Sequence, residues 1–117
     1  MNDRQALGQA GEAAAAQYLK ERGYGILEKN FRCTVGEIDL IATKDDFLVF
    51  IEVKTRKAGS PVHPSLSVTA RKQAKVRQVG EVYCSTHPRM VLQPRFDVIS
   101  VEMGEGKEFV EHIENAF

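Results

Sequence analysis

The stretch "GEIDLIATKDDFLVFIEVKTR", residues 36–56, carries three residues whose types and spacing suit chemistry: Asp39, Glu52 and Lys54. Each is set in a run of Ile, Leu, Val and Phe that reads as a strand buried on both faces. A charge in such a strand costs free energy unless something offsets it. If Asp45 and Asp46 form the tip of a hairpin, Asp39 faces Glu52 and Glu37 faces Lys54, with Cβ atoms about 4.5–5.5 Å apart. Alternation along the strand puts Glu52 and Lys54 on the same face as Asp39. Two carboxylates about 5 Å apart repel by roughly 3 kcal/mol at an effective dielectric of about 20. Protonation of one acid, a salt bridge to Lys54, or a bound divalent cation would relieve that repulsion. An oxygen-only donor set suits Mg²⁺ or Mn²⁺, and such a cation stabilises charge on a phosphoryl oxygen and acidifies a bound water. Lys54 would position that water or neutralise developing charge. The purely structural alternative is an ion-pair network in which Lys54 satisfies both acids.

The surrounding elements must hold these residues in place. Residues 3–22 read as a helix with Asp3 as N-cap and Gly23 as its stop, and with Leu7, Ala10, Gly11, Ala14 and Tyr18 on the inner face. Glu12 lies beside that face. Strands are expected at 26–32, 36–43 and 47–55, with a turn at 44–46. The loop "KAGSPVHPS", 57–65, contains glycine, serine and two prolines. A second helix is expected over 67–84, capped by Ser65 or Ser67, with Val68, Ala74, Val79 and Val82 inward. "RFDVISVE" reads as a fourth strand and "EFVEHIENAF" as a short edge strand. The order α-β-β-β-α-β describes an α/β domain with a mixed central sheet flanked by helices.

The 117 residues, 43% hydrophobic and 27% charged, fit one domain spanning 1–117. No apolar run approaches the roughly 20 residues that cross a bilayer, and the N-terminus lacks a basic-then-apolar signal region. A cytoplasmic protein without a membrane partner is the expectation, and Cys33 and Cys84 suit a reducing compartment as free thiols. Sixteen basic and sixteen acidic residues cancel, yet Lys54, Arg56, Lys57, Arg71, Lys72, Lys75 and Arg77 fall in a segment with no acid at all. That asymmetry suggests a positive surface able to meet phosphates, although a solvated basic helix is the bland reading. Cys84 and His87 have a C-x2-H spacing, but no second pair completes a tetrahedral zinc set. His63 and His112 are expected at the surface, Gln73 as exposed, and Tyr18, Tyr24 and Phe31 in the core. Glu37 is expected to pair with Lys54 or Arg32.

"GEID…EVK" resembles the D…(D/E)xK signature of the restriction-endonuclease-like PD-(D/E)xK nucleases. Over nearly the whole chain, "GQAGEAAAAQYL", "GYGILEKNFR", "GEIDLIA", "LVFIEVKTR", "RFDVISV" and "HIENAF" resemble the YraN-like family of small bacterial proteins. That family is in turn similar to archaeal Holliday-junction resolvases. The resemblance implies a restriction-endonuclease-like core with Asp39 and Glu52 as metal-binding acids and Lys54 as the catalytic lysine. It matches Glu12 to an additional metal-binding acid, and leaves Arg56 to contact a phosphate. Ile38 precedes Asp39 where the superfamily pattern has proline. The implied activity is Mg²⁺- or Mn²⁺-dependent hydrolysis of phosphodiesters in DNA, including branched or structured forms. Arg71, Lys72, Lys75 and Arg77 would contact phosphates without reading sequence, and a homodimer is expected by analogy with resolvases. The alternatives are a non-catalytic nucleic-acid-binding or recruitment module and a protein-interaction partner within a repair assembly.

Overall fold

The computed structural model describes residues 3–59, 68–88, 91–104 and 106–117. The chain runs α1 (Asp3–Glu21), β1 (Gly25–Arg32), β2 (Glu37–Lys44), β3 (Phe47–Lys57), α2 (Ala70–Thr86), β4 (Gln93–Gly104) and β5 (Lys107–Ile113). The five strands form one sheet in sequence order. Neighbours are antiparallel except β3 and β4, which are parallel over Phe47↔Gln93 to Lys57↔Met103. A parallel pair needs a crossover connection, and α2 lies within it. The result is the mixed α/β sheet with flanking helices expected from the sequence, consistent with a restriction-endonuclease-like core.

The two helices cover opposite faces of the sheet. On one side Ala15, Ala16 and Leu19 of α1 pack with Leu40, Ala42, Val49, Ile51, Ile99 and Val101. On the other, Val76, Val79 and Tyr83 of α2 pack with Ile41, Leu48, Phe50 and Phe96. β2 and β3 are thus buried on both faces, which explains their nearly unbroken apolar runs. Gly11 lets α1 approach β3 closely, since a Cβ there would collide with the Thr55 side chain. Gly23, at φ 85°, closes α1 with paired bonds from the Gly23 N–H to the Lys20 carbonyl at 3.1 Å and the Tyr24 N–H to the Leu19 carbonyl at 3.0 Å.

Several expectations shift in detail. Ala10 and Ala74 are exposed and Val82 is half-buried, whereas Ala15, Leu19, Val76, Gly80 and Tyr83 are buried. Small residues on every side of α1 and sparse apolar residues on α2 leave the helical phase weakly marked in sequence. The cap of α2 is Thr69, whose Oγ1 accepts from the Lys72 N–H at 3.2 Å; Ser65 and Ser67 lie outside the described residues, as does His63. β3 continues to Lys57, because parallel pairing with β4 extends past the hairpin.

Candidate functional site

The hairpin register is as predicted, from Lys44↔Phe47 back to Leu40↔Ile51, but the ladder stops there. In place of the next rung, the Asp39 carboxylate accepts the Val53 N–H at 2.8 Å. A side chain bonded to the neighbouring backbone lies in the seam between strands rather than standing off one face. The alternation of β2 breaks at the same point: Leu40 packs under α1, while Ile38 packs with the α2 cluster. On the far side, Asn30 of β1 has φ 53° and falls between the pairs Lys29↔Leu40 and Phe31↔Ile38, opposite Asp39. Irregular backbone on both sides of one acid is a costly local arrangement, and such strain concentrates at functional positions.

Glu52 is 3% exposed and meets Lys72 Nζ of α2 at 3.5 Å. Burial, and then the charge of Asp39, push its carboxyl up to about 7, against the pull of Lys72 and Lys54. Burial also raises Asp39, opposed by the Val53 N–H and by Lys72. Glu12, on α1, is raised by burial and by Asp39, while the Asn30 side chain hydrogen-bonds it and opposes the rise. Asp39 in its seam therefore acts on charges from both layers. Asp39 and Glu52 are thus both biased toward their neutral forms, a bias that protonation, a nearby ammonium or another cation would relieve.

Glu12 and Lys54 line one cleft together with Leu7, Gly8, Val53 and Thr55. Arg71, Lys72 and Lys75 line a separate cleft of about 450 Å³ beside α2, with Gly36, Glu37 and Thr69. Arg56, on the same face parity as Glu52 and Lys54, has a buried Nε with no hydrogen-bond partner among the described residues. Arg77 sits apart: its guanidinium covers the Phe96 ring at 5.0 Å and the Phe117 ring at 5.7 Å. Glu37 is held by Arg32 at 3.0 Å rather than by Lys54, because the ladder ends before reaching it. Gln73 donates to the Val68 carbonyl at 3.1 Å and does not serve the acids.

Among the described residues, no group of three His, Cys, Asp or Glu side chains is arranged to hold a metal ion. The pair Asp39–Glu52 still fits Mg²⁺ or Mn²⁺, which commonly keep several waters and use one or two carboxylates plus substrate phosphate. Oxygen donors, burial and mutual repulsion of the pair are the chemistry such an ion requires. Cys84 is a half-buried thiol raised by burial, and His87 stacks on Tyr83 at 4.0 Å, so C-x2-H here is a helix end.

A second charged cluster went unrecognised in the sequence. Asp97 of β4, fully buried, accepts from Arg95 at 3.0 and 2.8 Å, from the Asn115 N–H at 3.0 Å, and lies 2.7 Å from His112 Nε2. Arg95 also donates to the Tyr24 hydroxyl at 2.7 Å. The His112 side chain is thereby only 5% exposed, contrary to its expected surface position, because β5 pairs beside β4 and turns it toward α1. Burial alone would raise the Asp97 carboxyl, but bonds from His112, Arg95 and Asn115 hold it below its ordinary range. An acid in the apolar run "RFDVISV" was the available signal, the same one that marks Asp39 and Glu52. Asn30 offered no comparable signal.

The fold is that of a mixed α/β protein, consistent with a restriction-endonuclease-like core, with two acids at the β2–β3 seam. The model of Uncharacterised protein family UPF0102 matches residues 11–101, and the chain belongs to that family. It is 46% identical over 118 residues to a UPF0102 protein of Caldanaerobacter subterraneus subsp. tengcongensis, covering 98% of this chain and 97% of that one. It is 44% identical over 111 residues to a UPF0102 protein of Syntrophomonas wolfei, covering 95% and 96%. A UPF0102 protein of Geobacter metallireducens is 41% identical over 111 residues, covering 95% and 91%. Among the described residues no helix is long and apolar enough to cross a membrane.

Proposed function

We propose that this protein is a divalent-metal-dependent nuclease that hydrolyses phosphodiesters in DNA, with branched or structured DNA as the substrate to test first. The observation that carries the reading is the Asp39–Glu52 pair: a half-buried and a buried acid from neighbouring strands, set at a break in the β2–β3 ladder. Asp39 and Glu52 would hold Mg²⁺ or Mn²⁺, with Glu12 of α1 adding negative charge on the far side of Asp39. The ion, when bound, would supply charge stabilisation at the phosphoryl oxygen and an acidified water. Lys54 would orient the attacking water and offset charge as it develops on the phosphate. Arg56, Arg71, Lys72 and Lys75 would hold the backbone on either side without reading bases. The D…(D/E)xK arrangement of Asp39, Glu52 and Lys54 and the α/β core support this reading. A homodimer would place two such sites on two strands.

The test is cleavage of labelled single-stranded, duplex and four-way-junction DNA with Mg²⁺ or Mn²⁺, beside Asp39→Ala and Glu52→Ala. Metal-dependent cutting that both variants lose is the expected result. Equal cutting by Asp39→Ala and the parent would overturn the assignment.

The lack of a three-ligand group among the described residues favours a second reading, a binding module on the same scaffold. That module would retain DNA at low salt through Arg71 and Lys75, lose it as salt rises, and be indifferent to Glu52→Ala.

A further inference from the structure

We propose that Lys72 is a built-in counterion that occupies the cation's place on the Asp39–Glu52 pair and is displaced when a divalent ion binds. The inference rests on the reading that this pair takes a divalent cation. Lys72 Nζ lies 3.5 Å from Glu52 Oε2, looser than the roughly 2.7–2.9 Å of a tight charge-assisted bond. The Lys72 side chain is 41% exposed while Glu52 is 3% exposed, so the ammonium can swing into solvent without opening the core. Lys72 also stands in an unfavourable place for a cation. It lies in the first turn of α2, which holds no acid, at the positive end of the helix dipole. The attraction that holds it there is the buried Glu52 carboxylate, within ion-pair distance of its Nζ. Lys54, the other cation acting on Glu52, does so through its charge alone, whereas Lys72 is the ammonium within ion-pair distance of the carboxylate. Lys72 is therefore the one an incoming ion would displace. It neutralises the pair while the site is empty of other cations, keeping both acids available in one place. Once an ion takes over that task, the freed ammonium faces the cleft lined by Arg71 and Lys75.

The experiment measures Mn²⁺ binding directly, through the electron paramagnetic resonance signal of the free ion, at pH 8.0 and without DNA. Parent, Lys72→Met, Lys72→Gln, Glu52→Gln and Lys107→Met are compared, the last as a control for loss of one surface charge. Circular dichroism establishes that each variant is folded. Lys72→Met and Lys72→Gln should bind Mn²⁺ roughly tenfold more tightly than the parent, since the competing charge at the site is gone. Lys107→Met should match the parent, and Glu52→Gln should bind far more weakly. Parent binding that depends on Glu52 but does not tighten in either Lys72 variant would overturn this inference alone. Absence of Mn²⁺ binding in the parent and in both Lys72 variants would overturn it together with the metal reading.

Discussion

Glu52→Gln replaces a buried carboxyl with a neutral amide of the same shape, so its effect on stability must follow pH. In the folded protein the carboxyl is raised from an ordinary 4.5 to about 7. The folded state then holds its proton more tightly than the unfolded chain does. Below about pH 4.5 the acid is neutral in both states and the two proteins should be nearly equal in stability. As pH rises from 4.5 through 7, the unfolded chain releases the proton first and the parent loses stability. Above 7 the loss is complete. At 1.36 kcal/mol per pH unit the full loss is about 3 kcal/mol, with Lys72 and Lys54 already acting to reduce it. Asp39, no longer facing a second charge, would move the difference in the same direction. Urea unfolding of parent and Glu52→Gln at half-unit steps from pH 4.5 to 8.5 measures it. The variant should be more stable by about 2–3 kcal/mol at pH 8 and by little at pH 4.5. Adding Mg²⁺ at pH 8 should stabilise the parent and leave the variant unmoved. A difference that is flat with pH, or a variant weaker than the parent at pH 8, would refute the placement of Glu52 as a buried acid only partly compensated by Lys72 and Lys54.

The Asp97 cluster should behave in the opposite way. Asp97→Asn leaves Arg95 and His112 buried without their acid and should cost about 3–5 kcal/mol in urea unfolding; a loss under 1 kcal/mol would contradict the network. Because Asp97 is held below its ordinary range, its contribution should be present above about pH 4 and fade as pH falls further. Gly11→Ala should destabilise by about 1–3 kcal/mol through the clash with Thr55, despite the better helix propensity of alanine. Thr55→Ala in the same chain should recover part of that loss in a double-mutant cycle, and simple additivity would show the contact is not tight. Thr69→Ala removes the acceptor for the Lys72 N–H and should cost about 1 kcal/mol by thermal unfolding. No change would mean the cap is idle.

Element order and type were legible because the hydrophobic runs of β2 and β3, the hairpin tip and the helix stop at Gly23 are local signals. Each depends on residues only a few places apart. The hairpin register followed from the two-residue tip alone, and the structure keeps it as far as Leu40↔Ile51, where Asp39 leaves the ladder to accept the Val53 N–H. Helix phase was less legible, as Ala10 and Ala74 show, because small residues fit a buried or an exposed position equally well.

What local signals could not determine is how each embedded charge is answered. Asp39, Glu52 and Asp97 look alike in sequence: one acid in an apolar strand. Asp97 is answered by Arg95, His112 and the Asn115 backbone, brought together by β5 and the final turn. Asp39 is answered in part by a backbone N–H of β3, and Glu52 only loosely by Lys72 from a helix on the other strand's far connection. Local sequence pattern determined that this chain forms an α/β sheet with acids in its strands. Tertiary packing alone decided which acid is fully answered and which only in part, because the cost of a buried charge depends on partners distant in sequence.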